Sequence, residues 1–110
     1  MSPTYLKDIY TNAEKARRLR GDLEGPEVLE RDELRLYVVV CVLEVIGEAA
    51  NRVPAERRTR HPEIPWSEMA GMRDKPIHDY QGVDAQAVWA TVKESLPGLV
   101  AQIERLLDED

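Results

Sequence analysis

Three residues whose side chains suit phosphate chemistry lie close together in the sequence, at Arg73, His78 and Tyr80. Arginine presents a permanent positive charge on a planar donor group that matches phosphate oxygens. Histidine exchanges a proton near neutral pH, and tyrosine adds a phenol hydroxyl. A base that removes the proton of a ribose 2′-hydroxyl, with a cation that stabilises charge on phosphorus, provides the minimal parts for moving a phosphodiester without a metal ion. Residues 73 to 80 are therefore the candidate site.

Four helical segments are predicted to position this site. From about residue 3 to residue 20, apolar residues recur at steps of three and four, and Gly21 offers a C-terminal stop. A second helix is predicted from about residue 28 to residue 52. A third is predicted from about residue 66 to residue 75, because Pro76 disfavours helical backbone at the residue before it.

The fourth predicted helix runs from about residue 84 to residue 108 and follows the candidate site. Asp84 is expected to cap its N-terminus, and Pro97 is expected to kink it because proline lacks a backbone N–H. Glycine and proline cluster between the four segments, and no repeat or linker is apparent. The sequence therefore predicts an all-α bundle of four to five helices that forms a single domain over residues 1–110.

The second predicted helix is apolar on more than one side. Tyr37, Cys41 and Val45 share one face, while Leu36 and Leu43 add apolar surface elsewhere. A helix that is apolar this far round is either central in the core or buried on two sides. Because a chain of 110 residues has few other elements to cover both sides, burial on two sides points to a homodimer. Cys41 itself is expected to be a small core residue.

Composition excludes several classes of protein. The chain has 15 Lys and Arg against 21 Asp and Glu, a net charge of −6, which excludes a uniformly basic coat for nucleic acid. One cysteine allows neither an internal disulfide nor a cysteine-based zinc cluster, and we expect no metal or cofactor. The longest apolar run, residues 36 to 43, is much shorter than the ~20 residues that cross a bilayer. We therefore expect a soluble cytoplasmic protein with no membrane partner.

The candidate site resembles the signature of the HEPN superfamily, in which an arginine is followed by four to six residues, the first of them polar, and then by a histidine. It is most similar to the short HepT-type proteins, in which a tyrosine follows the histidine with one residue between. Arg73, Asp74, His78 and Tyr80 match these positions. The similarity extends over about residues 36 to 107. The flanking segments that share it are 46–50, 62–66, 71–73, 83–89 and 96–99.

The resemblance implies that the protein is an α-helical homodimer and a metal-independent endoribonuclease toxin of a type VII toxin–antitoxin module. The antitoxin partner in such modules is a minimal nucleotidyltransferase, which silences the toxin by transferring AMP to the motif tyrosine. By this resemblance Arg73 and His78 are catalytic, Asp74 orients or polarises, and Tyr80 is the adenylylated residue. The family often has Asn where this chain has Asp74, and the negative charge there opposes phosphate binding by Arg73.

Positive charge concentrates around the candidate site. Residues 52 to 78 contain six cations and four anions, although the whole chain is acidic. The resemblance suggests that these cations form a rim that follows RNA phosphates. An ordinary solvated loop is the alternative, and the sequence leaves both open. The candidate RNA-binding residues are Arg52, Arg57, Arg58, Arg60 and Lys75.

Alternative interpretations remain for the chain and for single residues. The protein could be a non-catalytic helical module that binds nucleotide or a nucleotidyltransferase, or it could be the antitoxin of its pair. Arg73 could form a structural salt bridge to Asp74, Asp79 or a carboxylate of the fourth helix. Gly47 is expected to permit close approach of helices. Trp66 is expected to serve the core, and base stacking is the less favoured interpretation.

Overall fold

The computed structural model describes residues 4–73, 78–79 and 82–109. The elements in chain order are α1 (Thr4–Arg20), α2 (Pro26–Arg31), α3 (Glu33–Arg52), α4 (Ala55–Arg60), α5 (Trp66–Ala70), a 3₁₀ turn (Gly71–Arg73), β1 (His78–Asp79), β2 (Gly82–Val83), α6 (Ala85–Ala90), a π turn (Thr91–Ser95) and α7 (Leu96–Glu109). The predicted all-α architecture is confirmed. Within the described ranges, no helix is both long and apolar enough to cross a membrane.

The core forms where α1 packs against α3 and α7. The predicted apolar stripe of α1 is buried, with Leu6 only 2% exposed and Ile9 fully enclosed. Leu43 of α3 and Ile103 of α7 are also fully enclosed and belong to the same cluster. Burial of each such side chain stabilises the fold by roughly 1.5–3 kcal/mol relative to exposure. Packing of the helices therefore contributes more than the helix propensity of single residues.

Two residues with strong local preferences end helices in the first half of the chain. Gly21 has a left-handed φ of +48°, and its N–H donates to the Arg17 carbonyl at 3.0 Å, which ends α1 as predicted. The prediction of one helix over residues 28 to 52 is wrong, because Asp32 divides it. The Asp32 carboxylate accepts a hydrogen bond from the Arg35 backbone N–H at 3.2 Å and caps α3.

The last predicted helix begins as expected but does not continue unchanged. The Asp84 carboxylate accepts from the Ala87 backbone N–H at 3.1 Å and caps α6. The helix then passes through the π turn before it continues as α7. Proline has no N–H, and the ring of Pro97 crowds the carbonyl four residues earlier, which belongs to Lys93 in the π turn. The wider turn accommodates this proline.

The segment before the candidate site contains more helix than predicted. Residues 54 to 65 were expected to separate two helices, but α4 lies within them. The predicted third helix consists of α5 and the 3₁₀ turn, which ends at Arg73. Its expected end near Lys75 lies outside the described residues. His78 pairs with Val83 in the antiparallel register of β1 and β2.

One apolar face of α3 is left uncovered by the elements that the structure describes. Tyr37 is 48% exposed, Val38 39% and Val45 45%. Cys41 lies on the same face and is exposed, so its predicted place in the core is wrong. The opposite side of α3, which carries Leu43, packs on α1 instead. We call Tyr37, Val38, Cys41 and Val45 the exposed α3 face; they line a shallow cleft of about 250 Å³.

Gly47 lets the 3₁₀ turn pack directly against α3. A Cβ atom at residue 47 would lie 2.9 Å from the backbone nitrogen of Arg73, 3.0 Å from its Cβ and 3.1 Å from the Ala70 carbonyl oxygen. Backbone atoms in a packed contact cannot move aside as the end of a flexible side chain can. The expected close approach at Gly47 is therefore confirmed, and the residue that it brings to α3 is Arg73.

Gly47→Ala is expected to destabilise the fold by about 1–3 kcal/mol, because the added methyl group overpacks a backbone contact. Gly98→Ala is the matched control. Gly98 lies in α7, where an added Cβ meets nothing within 4 Å, and alanine there is expected to stabilise the fold by about 0.5–1 kcal/mol. Urea unfolding measures both changes. Unchanged stability in Gly47→Ala would contradict the packing described for the turn.

Candidate functional site

Arg73 extends to solvent from a well-anchored turn. Met69 is fully enclosed and Met72 is 5% exposed, and α5 and the 3₁₀ turn both pack on α3. The side chain of Arg73 nevertheless keeps 43% of its surface exposed. An anchored backbone that carries an accessible guanidinium is suited to receive an anionic ligand in a defined orientation.

Two residues of α3 orient the guanidinium of Arg73. Its Nη1 donates to Oε2 of Glu48 at 2.5 Å. With its amide oxygen turned toward the guanidinium, Asn51 accepts from Nη2 at 2.8 Å. The structural salt bridge suggested for Arg73 was to Asp74, Asp79 or the fourth helix. Among the described residues, its carboxylate partner is Glu48 of α3.

Glu48 connects two arginines. Its Oε1 also accepts from Nε of Arg52 at 3.1 Å. The hydrogen bond from Arg52, followed by the one from Arg73, holds the pKa of Glu48 below its ordinary value. We call Glu48, Asn51, Arg52 and Arg73 the arginine clamp. Because it combines two cations with one carboxylate, the clamp retains positive charge at neutral pH and favours an anion.

The clamp can bind a phosphate through a guanidinium that is already oriented. An arginine side chain has five N–H donors, and Glu48 and Asn51 accept from those of Arg73 on one side. Each Nη carries two N–H groups, so a phosphate can bind an N–H that Glu48 does not use. Because the side chain is already held, it loses less conformational freedom when it binds a ligand. The arrangement therefore orients the guanidinium and leaves it N–H donors for a phosphate.

The other residues of the predicted site follow Arg73 in the chain. The backbone of His78 lies in β1, between the 3₁₀ turn and α6. Asp74, Lys75 and Tyr80 lie outside the described residues. The structure thus describes the Arg73 side chain and the His78 backbone in the segment that connects α5 to α6.

The arginines predicted to bind RNA lie in two places. Arg52 belongs to the clamp, whereas Arg57, Arg58 and Arg60 lie on α4. Nε of Arg58 donates to a backbone carbonyl at the C-terminal end of α3, at 3.1 Å. Nη2 of Arg60 lies 3.6 Å from a carboxylate oxygen of Glu56 one turn earlier. These three arginines therefore lie on a helix and not in a loop, and RNA binding by them stays a prediction.

Sequence reasoning missed Glu48 and Asn51 as site residues. A signal was present, because Glu48 is followed by Asn51 after three positions and by Arg52 after four, which places them on one helix face. Whether that helix face belongs to a site depends on which residues pack beside it. Only the close approach at Gly47 shows that it meets Arg73.

The pKa of Glu48 is expected to rise toward its ordinary value when either arginine of the clamp is removed. The hydrogen bond from Arg52 is the largest single cause and the one from Arg73 is the next, so Arg52→Gln and Arg73→Gln should each raise the pKa of Glu48. Since the folded-state pKa is lowered, these pairs stabilise the protein above the unfolded-state pKa, and this contribution is lost as pH falls through the folded-state value. Carbon-13 NMR titration of the glutamate carboxyls measures the shift. Arg105→Gln on α7 is the control, and a Glu48 pKa that changes in neither clamp variant would refute the pairing.

Comparison with known proteins identifies the family. The profile of the ribonuclease HepT-like family matches residues 9–106. A Thermococcus cleftensis protein named "Probable ribonuclease HepT" is 42% identical over 102 residues, which cover 93% of this chain and 92% of that protein. Two Methanocaldococcus jannaschii proteins provisionally named as RNases are 36% and 37% identical over 105 residues, which cover 96% of this chain and 90% and 86% of those proteins. No solved structure matches the chain significantly. Because the profile spans most of the chain and these relatives align over most of their own length, the chain belongs to the ribonuclease HepT-like family of the HEPN superfamily and is an endoribonuclease by class.

Proposed function

We propose that the chain is the toxin of a type VII toxin–antitoxin pair and that it cleaves RNA without a metal ion. The observation that most supports this proposal is the oriented guanidinium of Arg73, held by Glu48 just before the segment that carries His78. Family membership gives the class of reaction. The proposal adds the catalytic residues, the chemistry, the partner and the regulation.

In the proposed reaction, His78 acts as the general base. It takes the proton of a ribose 2′-hydroxyl, whose oxygen forms a bond to the adjacent phosphorus. The bond from phosphorus to the 5′-oxygen breaks, and the leaving oxygen takes up a proton. The products are a 2′,3′-cyclic phosphate and a 5′-hydroxyl end. Arg73 binds the phosphate and stabilises the charge that builds on its oxygens, and Asp74 orients or polarises these groups.

Neighbouring residues support Arg73 and hold the RNA strand. Glu48 and Asn51 act as positioning residues, because they contact the guanidinium of Arg73 rather than the substrate. The clamp and α4 together present positive charge on an acidic protein, which favours a polyanion at this surface. The residues proposed to bind RNA phosphates are Arg52, Arg57, Arg58, Arg60 and Lys75.

Regulation is proposed to act on Tyr80. A minimal nucleotidyltransferase would transfer AMP to its hydroxyl, forming a bond from the phenol oxygen to phosphorus and releasing pyrophosphate from ATP. The adduct adds a negative phosphate and a bulky nucleoside two positions from His78. A phosphate placed beside arginines would occupy the donors that the RNA needs. The modified protein would therefore be silent. We also propose that it acts in the cytoplasm, where RNA and ATP are both available.

The exposed α3 face is proposed to be the homodimer interface. Tyr37, Val38 and Val45 are each more than a third exposed although they are large and apolar. A contiguous apolar surface on a small protein is typical of a protein interface. Because the clamp lies at the C-terminal end of the same helix, pairing through α3 would fix the position of one site relative to the other in the dimer.

The central test is RNA cleavage by the purified chain in EDTA, after its intact mass has been checked for an adduct on Tyr80. Unmodified protein is expected to produce cyclic-phosphate ends. His78→Ala is expected to lower the rate by roughly 10²–10⁴-fold, and Arg73→Ala by roughly 10²–10³-fold. Arg105→Ala, on the exposed surface of α7, is the control and should leave the rate unchanged.

Two outcomes of this assay would change the proposal. Unmodified protein that cleaves no RNA would favour the alternative of a non-catalytic module. Full activity in both His78→Ala and Arg73→Ala would overturn the assigned residues. If the protein carries an adduct, the assay is repeated after the adduct is removed.

Expression of the chain alone should arrest growth, whereas harmless expression of active protein would favour the antitoxin role.

Val45→Glu is expected to convert the dimer into a monomer, because it buries an unpaired carboxylate in an apolar interface. Val28→Glu is the matched control, since Val28 lies on α2 with a similar exposure of 38% against 45% for Val45. Light scattering coupled to size-exclusion chromatography measures the mass of each. A monomeric wild-type protein, or a dimer that survives Val45→Glu, would contradict the proposed interface.

A further inference from the structure

A cleft of about 570 Å³ opens between α4 and α5, directly beside the arginine clamp. We call it the α4–α5 cleft. The residues that line it include Asn51, Arg58, Thr59, Trp66 and Ser67. In the proposed cleavage reaction, Arg58 binds phosphate and Asn51 supports Arg73. Thr59, Trp66 and Ser67 have no role in that reaction.

Trp66 gives the cleft a fixed aromatic wall. Its indole Nε1 donates to the His61 carbonyl at 2.9 Å. The ring is half-buried and packs against the edge of the core. These contacts set the orientation of the ring, while its remaining surface lines the cleft. An oriented ring at a solvent-accessible cleft is a surface on which a flat aromatic ligand can stack.

The rest of the cleft combines donors and acceptors. Arg58 is held at the wall by the bond from its Nε to the Val53 carbonyl, 3.1 Å long. The Thr59 hydroxyl donates to the Ala55 carbonyl at 2.9 Å, so its oxygen is left to act as an acceptor. Ser67 presents an exposed hydroxyl, which can donate or accept. A flat ligand with polar edges matches this lining better than an aliphatic one.

Asn51 connects the cleft to the clamp. Its amide oxygen faces the guanidinium of Arg73, and the same side chain lines the α4–α5 cleft. A ligand that places a phosphate on Arg73 can therefore extend a planar group toward Trp66. In single-stranded RNA, a base is attached next to each phosphate and can turn out of the stack.

We propose that the α4–α5 cleft binds one unstacked nucleobase of the RNA strand whose phosphate contacts Arg73. This inference rests on the proposed function, because it assumes that the clamp binds RNA. Trp66 stacks on the base, and the polar groups of Arg58, Thr59 and Ser67 meet its edge. Base contacts here, next to phosphate contacts on the clamp, give the enzyme a preference among single-stranded sites.

A second cleft provides an internal comparison. It has a volume of about 550 Å³, lies between α5 and α7, and is lined by Glu68, Glu94 and Arg105 among others. Two carboxylates against one guanidinium disfavour a polyanion, and none of the clamp residues lines this cleft. The two clefts are thus similar in volume but differ in the charge of their lining. A clamp residue, Asn51, lines the α4–α5 cleft and does not line the second cleft.

The experiment compares two fluorescent probes by anisotropy. One is a hexamer of 2′-O-methyl ribonucleotides, which has no 2′-hydroxyl to react, and the other has the same backbone with abasic residues. Ser67→Leu fills the α4–α5 cleft with a group that cannot stack, and Ala101→Leu is the matched change in the second cleft. Ser67→Leu is expected to raise the Kd of the base-bearing probe roughly tenfold and to leave the abasic probe unchanged. Ala101→Leu should change neither.

Conservative variants separate stacking from folding. Trp66→Phe should keep most of the affinity for the base-bearing probe, and Trp66→Leu should lose roughly tenfold, while thermal unfolding confirms that both variants fold. Arg73→Gln should weaken both probes, because it removes a phosphate contact. If Arg73→Gln weakens both probes and Ser67→Leu weakens neither, the base cleft is overturned and the proposed function stands. Wild-type protein that binds neither probe also overturns the cleft, and the cleavage assay then judges the proposed function by itself.

Discussion

At Gly47, α3 has no side chain, and the backbone of the 3₁₀ turn lies against it. This contact brings the guanidinium of Arg73 within reach of Glu48 and Asn51. Burial of Met72 on the same turn supplies the apolar packing that keeps the turn in place. Any larger residue at position 47 would push the turn outward. The orientation of the candidate phosphate-binding group therefore depends on a packing contact that is itself chemically inert.

The ion pairs of the clamp matter more for orientation than for stability. Glu48, Arg52 and Arg73 all have about half of their side-chain surface exposed. Exposed pairs of this kind contribute only about 0–1 kcal/mol to folding, much less than the buried helix contacts. Their value lies in holding one guanidinium in a single arrangement. The same carboxylate reduces the positive charge available to a phosphate. Glu48 therefore improves the orientation of Arg73 and lowers its affinity for an anion.

The residues on different sides of α3 contact different parts of the protein. One side carries Leu43 into the core, and the C-terminal end carries Glu48 and Asn51 to the clamp. The exposed α3 face is not covered by any of the described elements. If that face pairs with a second copy, as proposed, the distance between the two clamps is set by how the two α3 helices pack against each other. Beside the clamp, α4 and α5 add a cleft with an oriented Trp66 ring. The core, the clamp and the proposed interface thus all include residues of α3, so this one helix fixes their relative positions.

The sequence by itself determined the helical class, the stop at Gly21, the cap at Asp84 and the segment that carries Arg73 and His78. These features are local, because helical periodicity, a left-handed glycine, a capping carboxylate and a short motif are each visible within a few residues. Sequence reasoning joined α2 to α3 because apolar periodicity outweighed the capping preference of Asp32, and it missed α4 because prolines dominate residues 54 to 65.

The tertiary structure alone decided which side of α3 is buried and which residues contact Arg73. A helix with apolar residues on several sides carries no local signal of which side meets α1, so Cys41 was assigned to the wrong environment. The pairing of Arg73 with Glu48 spans 25 positions and follows from a backbone contact between two elements. Such contacts depend on how the helices pack together, which is a property of the whole chain and of no single segment.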